Sequence, residues 1–303
     1  MELRVLNYFV AVAQEGNMTR AAKKLLISQP ALSRQIADLE DELGVKLFSR
    51  KSRRLALTPA GNYLFEQAQE ILDLTAKTKR NLAKTSFING DLTIAAGESM
   101  GMQRIINVVS AIIKKHPSVK IHLLSGDYSY AERKLNNGTV DFAVIIGDVP
   151  LGNYASLTLP EKDTWGILMP NDDLLVKKTV IRPADLQGRT LLNSQQAQKM
   201  HLFQNWLGNY YDSVNFIGSY NLNFNGTLMV KNHAALMLTL DKLADTSKGS
   251  GITFRKLQPE LHQAIKVVWK HGVNLSPVAE LFLKLLQESI YKKQNFMQKI
   301  YYS

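Results

Sequence analysis

The sequence has no cysteine among its 303 residues. Disulfide bonds, thiolate nucleophiles and cysteine-ligated zinc are therefore excluded. No run of residues reaches the roughly 20 consecutive apolar positions that a membrane-spanning helix needs. Residues 1–14 are amphipathic and contain charges, unlike the apolar core of a secretory signal. The sequence thus predicts a cytoplasmic protein that makes no membrane contact.

Catalytic and metal-binding patterns are also scarce. The six histidines include no pair at the i, i+4 spacing of a zinc-binding helix. Neither a dinucleotide-binding glycine motif nor a phosphate-binding loop is present. We therefore predict no enzymatic activity, no catalytic residue, no metal and no cofactor. An enzyme is the alternative, and a turnover assay would test it.

The composition is ordinary except for its charge. Hydrophobic residues make up 45% of the chain, which is enough for more than one core, and the length suits two domains. The net charge is +11, which favours a polyanionic partner such as nucleic acid. A lysine-rich solvated surface is the alternative explanation, so the local arrangement of charge matters more than the total.

The first 26 residues predict two helices. Apolar residues recur at helical spacing over positions 3–13, and Gly16 marks the end of this helix. A short second helix is expected over positions 20–26, with Thr19 as its N-terminal cap. Its adjacent alanines at 21 and 22 are small enough for a following helix to cross closely, as in a helix-turn-helix.

A third helix is predicted after Ser28, which has the side chain of a cap. Leucine and isoleucine at positions 32, 36, 39 and 43 form its buried face. The opposite face begins with Gln29 and Pro30 and continues with Ser33 and Arg34. Glutamine and arginine can hydrogen-bond base edges, and the first turns of such a helix are those that enter the major groove. The acidic C-terminal turns should point away from phosphates.

The segment after this helix predicts a basic hairpin. Two short apolar runs surround a polar centre at positions 49–54. Five cations and no acid occur between Leu43 and Phe65. Such a hairpin after a helix-turn-helix is typical of a wing, with Arg50, Arg53 and Arg54 placed for phosphates or the minor groove. Taken alone, an arginine-rich hairpin is more often only a solvated surface.

Together these motifs closely resemble the LysR-type transcriptional regulators. The resemblance rests on the run from Ala21-Ala22 through Ser28-Gln29-Pro30-Ala31 to Leu39-Glu40, followed by Leu43-Gly44, Leu47-Phe48 and Leu57-Thr58. It is continuous over residues 3–61, although Asn17-Met18 replaces a more usual Ser-Phe pair. The resemblance implies the following DNA contacts: Thr19, Arg20, Gln29, Pro30, Ser33, Arg34, Arg50, Arg53 and Arg54.

Thr58 and Pro59 are expected to open a long helix that runs to about Ser86. A heptad-like seam of six residues follows one face of this helix: Leu64, Ala68, Ile71, Thr75, Thr78 and Leu82. The helix could pack on its own domain, but the LysR resemblance implies a linker that pairs two copies. Pairing would place two recognition helices on a palindromic DNA site.

The remaining residues alternate between strand and helix patterns, which predicts an α/β fold. In its later part we expect strands near 163–169, 190–193, 214–219 and 234–240, one helix at 197–208, and a polar segment at 223–227 that closes the second lobe. The resemblance implies two α/β lobes joined by crossing strands, like periplasmic binding proteins. The predicted domains are a winged helix-turn-helix at 1–58, a linker at 59–89 and an effector domain at 90–303. Its first lobe is expected at about 90–161 and 267–303, and its second at about 162–266.

Ligands in open α/β sheets bind beyond the carboxyl ends of the strands. Polar or glycine-containing junctions at such positions are the candidate effector contacts: Ser99, Met100, Gly147, Asn193, Ser194, Gln195 and Thr227. For each of them an ordinary turn or cap role is the alternative. Glu98 would oppose an anionic effector if it faced inward.

The sequence therefore predicts a sequence-specific DNA-binding regulator that responds to a small-molecule effector. The expected partners are palindromic double-stranded DNA, the effector, a second copy in a homodimer or homotetramer, and RNA polymerase. The alternative is a small-molecule sensor without sequence-specific DNA binding. The wing and the polar face at positions 29–34 favour the regulator.

Overall fold

A computed structural model of the chain describes residues 1–51, 54–82 and 88–301. The chain divides into two compact units, Met1–Lys84 and Thr85–Ser303. None of the helices in the described ranges combines the length and the apolarity that crossing a membrane requires.

The N-terminal unit opens with helices α1 (Leu3–Glu15) and α2 (Met18–Leu25). Helix α1 ends at Gly16, whose left-handed backbone (φ 55°) suits a residue without Cβ. The side chain of Asn17 caps α2 by accepting a hydrogen bond from the Arg20 backbone N–H at 3.0 Å. The prediction of Thr19 as the cap is therefore wrong, because Asn17 offers the same chemistry two residues earlier.

Helix α3 (Gln29–Leu43) begins as predicted, with the Ser28 hydroxyl accepting from the Ala31 backbone N–H at 3.3 Å. Its leucines and isoleucine at positions 32, 36 and 39 are buried against α1 and α2. Leu43, also expected in this core, is 38% exposed. The helix ends at Leu43, with Gly44 in the left-handed conformation as its C-terminal cap.

The wing is present as strands β1 (Phe48–Lys51) and β2 (Arg54–Leu57), which pair antiparallel. Helix α4 (Pro59–Leu82) follows, and the Thr58 hydroxyl caps it by accepting from the Gly61 backbone N–H at 2.9 Å. The predicted end of this helix near Ser86 lies outside the described residues.

The first lobe of the C-terminal unit contains a parallel sheet. It is built from β3 (Gly90–Ala96), α5 (Met102–Lys115), β4 (Val119–Ser125), α6 (Tyr128–Asn136) and β5 (Phe142–Ile146). Strand β3 lies between β4 and β5. Isoleucine, valine and phenylalanine from the sheet and α5 form its core, together with the last helix of the chain.

The second lobe repeats this arrangement with shorter helices. In chain order it contains the end of β6 (Tyr154–Pro170), then β7 (Val180–Ile181), β8 (Thr190–Ser194), α7 (Gln195–Lys199), α8 (Leu202–Leu207), β9 (Asn215–Tyr220), α9 (Asn223–Lys231), β10 (Leu236–Leu240) and β11 (Ile252–Leu257). Strand β8 lies between β9 and β10, parallel to both. Short 3₁₀ helices cover Leu174–Lys177, Pro183–Leu186 and Gly208–Ser213.

Two strands connect the lobes. Strand β6 and strand β12 (His262–Lys270) run antiparallel to each other, with an irregularity between Ala264 and Lys266. The first part of β6 and the end of β12 join the first lobe, whereas the end of β6 pairs with β10 and β11. Helix α10 (Pro277–Tyr301) then returns to the core of the first lobe.

The structure changes several element predictions in the second lobe. The single helix expected at 197–208 is two helices, separated at His201, whose backbone is left-handed (φ 52°). The polar segment expected at 223–227 is the first part of α9. Strand β11 was not predicted. Strand β6 is far longer than its expected core near 163–169, because it serves both lobes.

Candidate nucleic-acid interface and candidate ligand cleft

The outer face of α3 presents the predicted base-reading residues to solvent. Gln29, Pro30 and Arg34 are exposed and Ser33 is half-buried. The side chains of Gln29, Ser33 and Arg34 have no hydrogen-bond or ion-pair partner among the described residues, so their polar groups are available for a ligand. The buried face of the helix, described above, fixes the direction in which they point.

The two α2 candidates differ in how far they are engaged. Thr19 and Arg20 are both exposed. The Arg20 guanidinium donates to the Glu15 carbonyl oxygen and lies 3.7 Å from the Glu15 carboxylate. Lys24 binds the same carboxylate at 3.1 Å. Part of the positive charge on α2 is thus already compensated, unlike that of Arg34.

Arg50 and Arg54 belong to the two strands of the wing. Arg53 lies outside the described residues. Arg50 thus lies in β1 and Arg54 in β2 of the predicted hairpin, and the DNA contacts of all three arginines stay a prediction.

Glu40 has a structural role that the sequence analysis did not assign. It is buried, and its carboxylate accepts from the backbone N–H groups of Leu47 (2.8 Å) and Phe48 (3.1 Å) and pairs with Lys46 at 2.8 Å. Burial alone would raise the pKa of Glu40, but the Lys46 ammonium and the two N–H groups lower it on balance.

Two sequence interpretations change as a result. Glu40 is not a free acid that turns away from phosphate; it anchors the start of the wing to α3. Lys46, counted with the wing cations, is already held by Glu40, whose hydrogen bond and charge raise the Lys46 pKa. The uncompensated charge of the wing is therefore smaller than the sequence suggested.

A cleft lies between the two lobes of the C-terminal unit, where the parallel strands of both lobes end. The cavity in this cleft has a volume of about 60 Å³ in the conformation described. Strand ends supply Glu98, Asp127 and Ile146 from the first lobe and Ser194 from the second. The full lining comprises Gly97, Glu98, Gly126, Asp127, Ile146, Trp165, Ser194, Gln196, Ala197, Met200, Leu202, Tyr220, Asn221, Asn223, Leu240, Leu243 and Gln263.

Polar contacts cross this cleft from one lobe to the other. The Glu98 carboxylate accepts a short hydrogen bond from the Asn223 backbone N–H at the start of α9. The Gln196 amide donates to the Ile146 carbonyl at 2.8 Å. The Lys199 ammonium lies 3.5 Å from the Asp127 carboxylate. These contacts hold the lobes together in the conformation described.

Asn223 is the centre of a buried network behind the Glu98 contact. Its amide donates to Thr227 and to the Leu243 carbonyl, both at 3.1 Å, and its side-chain oxygen accepts from Thr239. Nearby, burial raises the pKa of the Tyr220 phenol; Thr239 lowers it and the Glu98 carboxylate raises it further. Through Asn223, the Glu98 contact is therefore continuous with the buried hydrogen-bond network of the second lobe.

The predicted effector contacts divide into two groups. Ser194 lines the cleft, and a side chain at Gly147 would meet Gln263 and Met200, which also line it. The others lie outside the lining. Asn193 is buried below Ser194, Gln195 is exposed on α7, and Thr227 contacts Asn223.

Ser99 and Met100 also lie outside the cleft. Met100 faces a different cavity, between α5 and α10. The Ser99 hydroxyl accepts from the Gly101 backbone N–H at 2.9 Å and hydrogen-bonds to Asp163. Burial raises the pKa of Asp163 despite the hydrogen bonds from Ser99 and Met100. These residues support the junction below the cleft.

The same segment contains a pattern that the prediction of a non-enzyme did not weigh. Residues 97–101 have the spacing G-x-S-x-G, found at the nucleophile of many hydrolases. A nucleophile at this position needs an accessible hydroxyl and a base such as histidine. Ser99 is 7% exposed, and its partners in the described part of the chain are Gly101 and Asp163. The local geometry does not match that chemistry.

Several lining residues were not among the predicted effector contacts. Trp165 and Gln263 belong to the crossing strands β6 and β12, and register alone places them at the cleft. Asn221 and Asn223 lie at the end of β9 and the start of α9. A signal for these two was available, since they are polar and follow a predicted strand end.

Comparison with known proteins identifies both units. Residues 3–62 match the family described as "Bacterial regulatory helix-turn-helix protein, lysR family", and residues 87–290 match the "LysR substrate binding domain". The chain therefore belongs to the LysR family. The resemblance, the fold class and the prediction of a regulator with a helix-turn-helix and a substrate-binding domain are confirmed at that level.

Two relatives illustrate the similarity. The "Hca operon transcriptional activator HcaR" of Escherichia coli (strain K12) is 36% identical over 188 residues, 62% of this chain and 63% of the relative. A "Probable RuBisCO transcriptional regulator" of Gracilaria tenuistipitata var. liui is 32% identical over 188 residues, 61% of this chain and 60% of the relative. The aligned part thus spans less than two thirds of either relative.

A solved structure supports the fold over nearly the whole chain. It is the "Crystal structure of full-length CbnR complexed with the target DNA complex", with a TM-score of 0.74 and 20% identity, covering 95% of this chain and 100% of the other. At this identity the likeness concerns the fold.

Proposed function

We propose that the protein is a transcriptional regulator that binds a specific DNA sequence through α3 and the wing. The observation that carries this proposal is the face of α3, where Gln29, Pro30 and Arg34 are exposed and unengaged while the opposite face is buried. A structurally related LysR-family protein, CbnR, has been crystallised with its target DNA. Binding rather than catalysis, in the cytoplasm, is the proposed activity.

The proposed organisation follows the predicted domains: DNA binding by 1–58, pairing by 59–89 and effector binding by 90–303. On the predicted seam, Ala68 is buried in the core of its own unit, whereas Ile71 and Leu82 are exposed. These two exposed apolar residues support pairing of two copies. A homodimer, or a tetramer of two dimers, would read a palindromic site. RNA polymerase is the partner through which such a regulator would act.

We also propose that a small molecule binds in the cleft between the lobes. An effector that contacts both lobes would alter the interlobe contacts of Glu98, Gln196 and Lys199. It would thus favour one arrangement of the lobes over another, which is the physical requirement for a ligand to regulate.

The DNA proposal is tested with duplexes that the wild-type chain selects from a random library. Arg34→Ala should weaken binding to the selected duplex by about 1–3 kcal/mol, because one base contact is lost, with little change on scrambled duplex. Lys46→Ala is the matched control. Its cation is already paired with Glu40, so it should affect the two duplexes equally and weakly.

Titrations by fluorescence anisotropy at fixed salt would measure both variants. Equal losses for Arg34→Ala on selected and scrambled duplex would contradict base reading by α3. Failure of the wild-type chain to enrich any two-fold sequence would favour the alternative, a sensor without sequence-specific DNA binding.

A further inference from the structure

The charged side chains that line the cleft are acidic. Glu98 and Asp127 are in the lining, and no lysine, arginine or histidine is among the described lining residues. Lys199 approaches Asp127 from outside the lining. Glu98 has no cationic side chain as a partner in the described part of the chain. An anion placed in the cleft would therefore face an unneutralised carboxylate.

The backbone groups that could compensate an anion are also engaged. Helix N-termini offer free N–H groups to anions, and three helices begin at the cleft. Asp127 accepts from Tyr130 at α6 (2.9 Å), Ser194 accepts from Ala197 at α7 (3.4 Å), and Glu98 accepts from Asn223 at α9. In this conformation the protein's own oxygens occupy positions that an anionic ligand would use.

A further polar group in the cleft lacks a partner. Trp165 lines the cleft, is only 5% exposed, and its indole N–H has no acceptor among the described residues. A buried donor without an acceptor is costly, and a bound molecule with an acceptor would relieve that cost. The rest of the lining includes apolar side chains such as Ile146, Leu240 and Leu243.

We propose that the effector is a cationic molecule: a protonated amine on an apolar body, with a hydrogen-bond acceptor for the Trp165 indole. The ammonium binds the Glu98 carboxylate, which retains acceptor capacity beyond its one bond to Asn223. This inference rests on the proposed function of the cleft as an effector site. It adds the chemical class of the effector, which the sequence left open.

The test compares three probes of one size, pentylammonium, pentanamide and pentanoate, on the full chain. Tryptophan is replaced by 5-fluorotryptophan, which gives one ¹⁹F signal for each of the three tryptophans. The Trp206→Phe and Trp269→Phe variants assign the signals. Trp165 reports on the cleft, and Trp206, whose indole donates to the Pro259 carbonyl at 2.8 Å, is the internal reference.

We expect pentylammonium to shift the Trp165 signal with an affinity about tenfold higher than that of pentanoate, with pentanamide between them. Glu98→Gln should abolish this preference, because it removes the charge and keeps an oxygen for the Asn223 N–H. Glu288→Gln, at the separate cavity between α5 and α10, is the matched control and should retain the preference.

The outcomes separate the two proposals. Equal or tighter binding of pentanoate, or a preference that survives Glu98→Gln, overturns the cationic effector and leaves cleft binding intact. A preference lost in Glu288→Gln instead places the cation in the other cavity and also overturns it. A Trp165 signal that no probe moves contradicts ligand binding in the cleft itself, and the inference falls with it.

Discussion

The candidate DNA contacts all lie between Thr19 and Arg54, whereas the cleft is lined by residues from Gly97 to Gln263. The two sites also use charge differently. At the first, Arg34 is left without a partner for use by a polyanion. At the second, carboxylates occupy helix N-termini of the protein itself. One site is presented by a single segment and, as proposed, completed by a second copy. The other is assembled within one copy from many strand ends.

The largest expected effect is a loss of DNA binding without a loss of ligand binding, because only the DNA site is proposed to need a second copy. Ile71→Glu places a charge on the proposed seam of α4, so pairing of two copies should be lost. DNA affinity should then fall about 100-fold or more, because two linked DNA-binding units no longer bind the same duplex together. Leu74→Glu is the matched control, since Leu74 lies off the seam and is similarly exposed (39%, against 37% for Ile71).

Sedimentation velocity would give the oligomeric state and anisotropy the DNA affinity. Probe binding in the cleft should not change in either variant. If Leu74→Glu dissociates the oligomer and Ile71→Glu does not, the seam has been assigned to the wrong face.

A smaller effect is expected on stability when a methyl group is added to one glycine in each unit. A Cβ at Gly61 would lie 2.1 Å from the Leu47 backbone oxygen, whereas a Cβ at Gly101 would lie 2.4 Å from the tip of the Ile265 side chain. Backbone cannot move as readily as a side-chain tip. Gly61→Ala should therefore destabilise its unit by about 1–3 kcal/mol, and Gly101→Ala its own unit by less.

Calorimetry of the full chain should show the loss of stability in the unfolding transition of the N-terminal unit for Gly61→Ala and of the C-terminal unit for Gly101→Ala. Asn62→Ala, at an exposed neighbouring position of α4, controls for the general effect of alanine in this helix. A larger loss from Gly101→Ala than from Gly61→Ala would contradict the argument.

The smallest effect concerns pH and Glu40. The folded-state pKa of Glu40 is lowered from 4.5, so its carboxylate stabilises the N-terminal unit above that pH, and this contribution is lost as pH falls through the folded pKa. Glu40→Gln should cost about 1 kcal/mol at neutral pH and make the unit less sensitive to acid. The C-terminal unit should keep its pH dependence.

Hydrogen exchange at the Leu47 and Phe48 amides, which Glu40 accepts from, would measure this locally. Faster exchange at these amides is expected in the variant at pH 7, with the difference narrowing towards pH 4. Unchanged exchange would show that Glu40 does not anchor the wing.

The sequence predicted the N-terminal unit well because its signals are local. Ser28, the apolar spacing of α3 and the Thr58–Pro59 pair each act within a few residues. The errors there are also local. Asn17 and Thr19 have similar capping chemistry, and Leu43 continues a helical pattern that the fold no longer buries.

The cleft was less predictable because long-range pairing creates it. The predicted strand ends identified the correct edge of the parallel sheets, and Ser194, predicted from them, lines the cleft. Trp165 and Gln263 reach the same place only through the antiparallel register of β6 and β12. Helix α9 was missed because its first turn, Asn223-Phe224-Asn225-Gly226-Thr227, has the composition of a loop and no apolar periodicity.

The crossing of β12 between the lobes has a consequence for synthesis of the protein. Strand β12 pairs with β5 and β6, and α10 then fills the first lobe's core. The first lobe therefore cannot be completed until β12 and α10 have left the ribosome. The N-terminal unit has all its core residues much earlier, and domains fold as units in the order of synthesis. A nascent chain should therefore acquire a folded DNA-binding unit well before it can sense an effector.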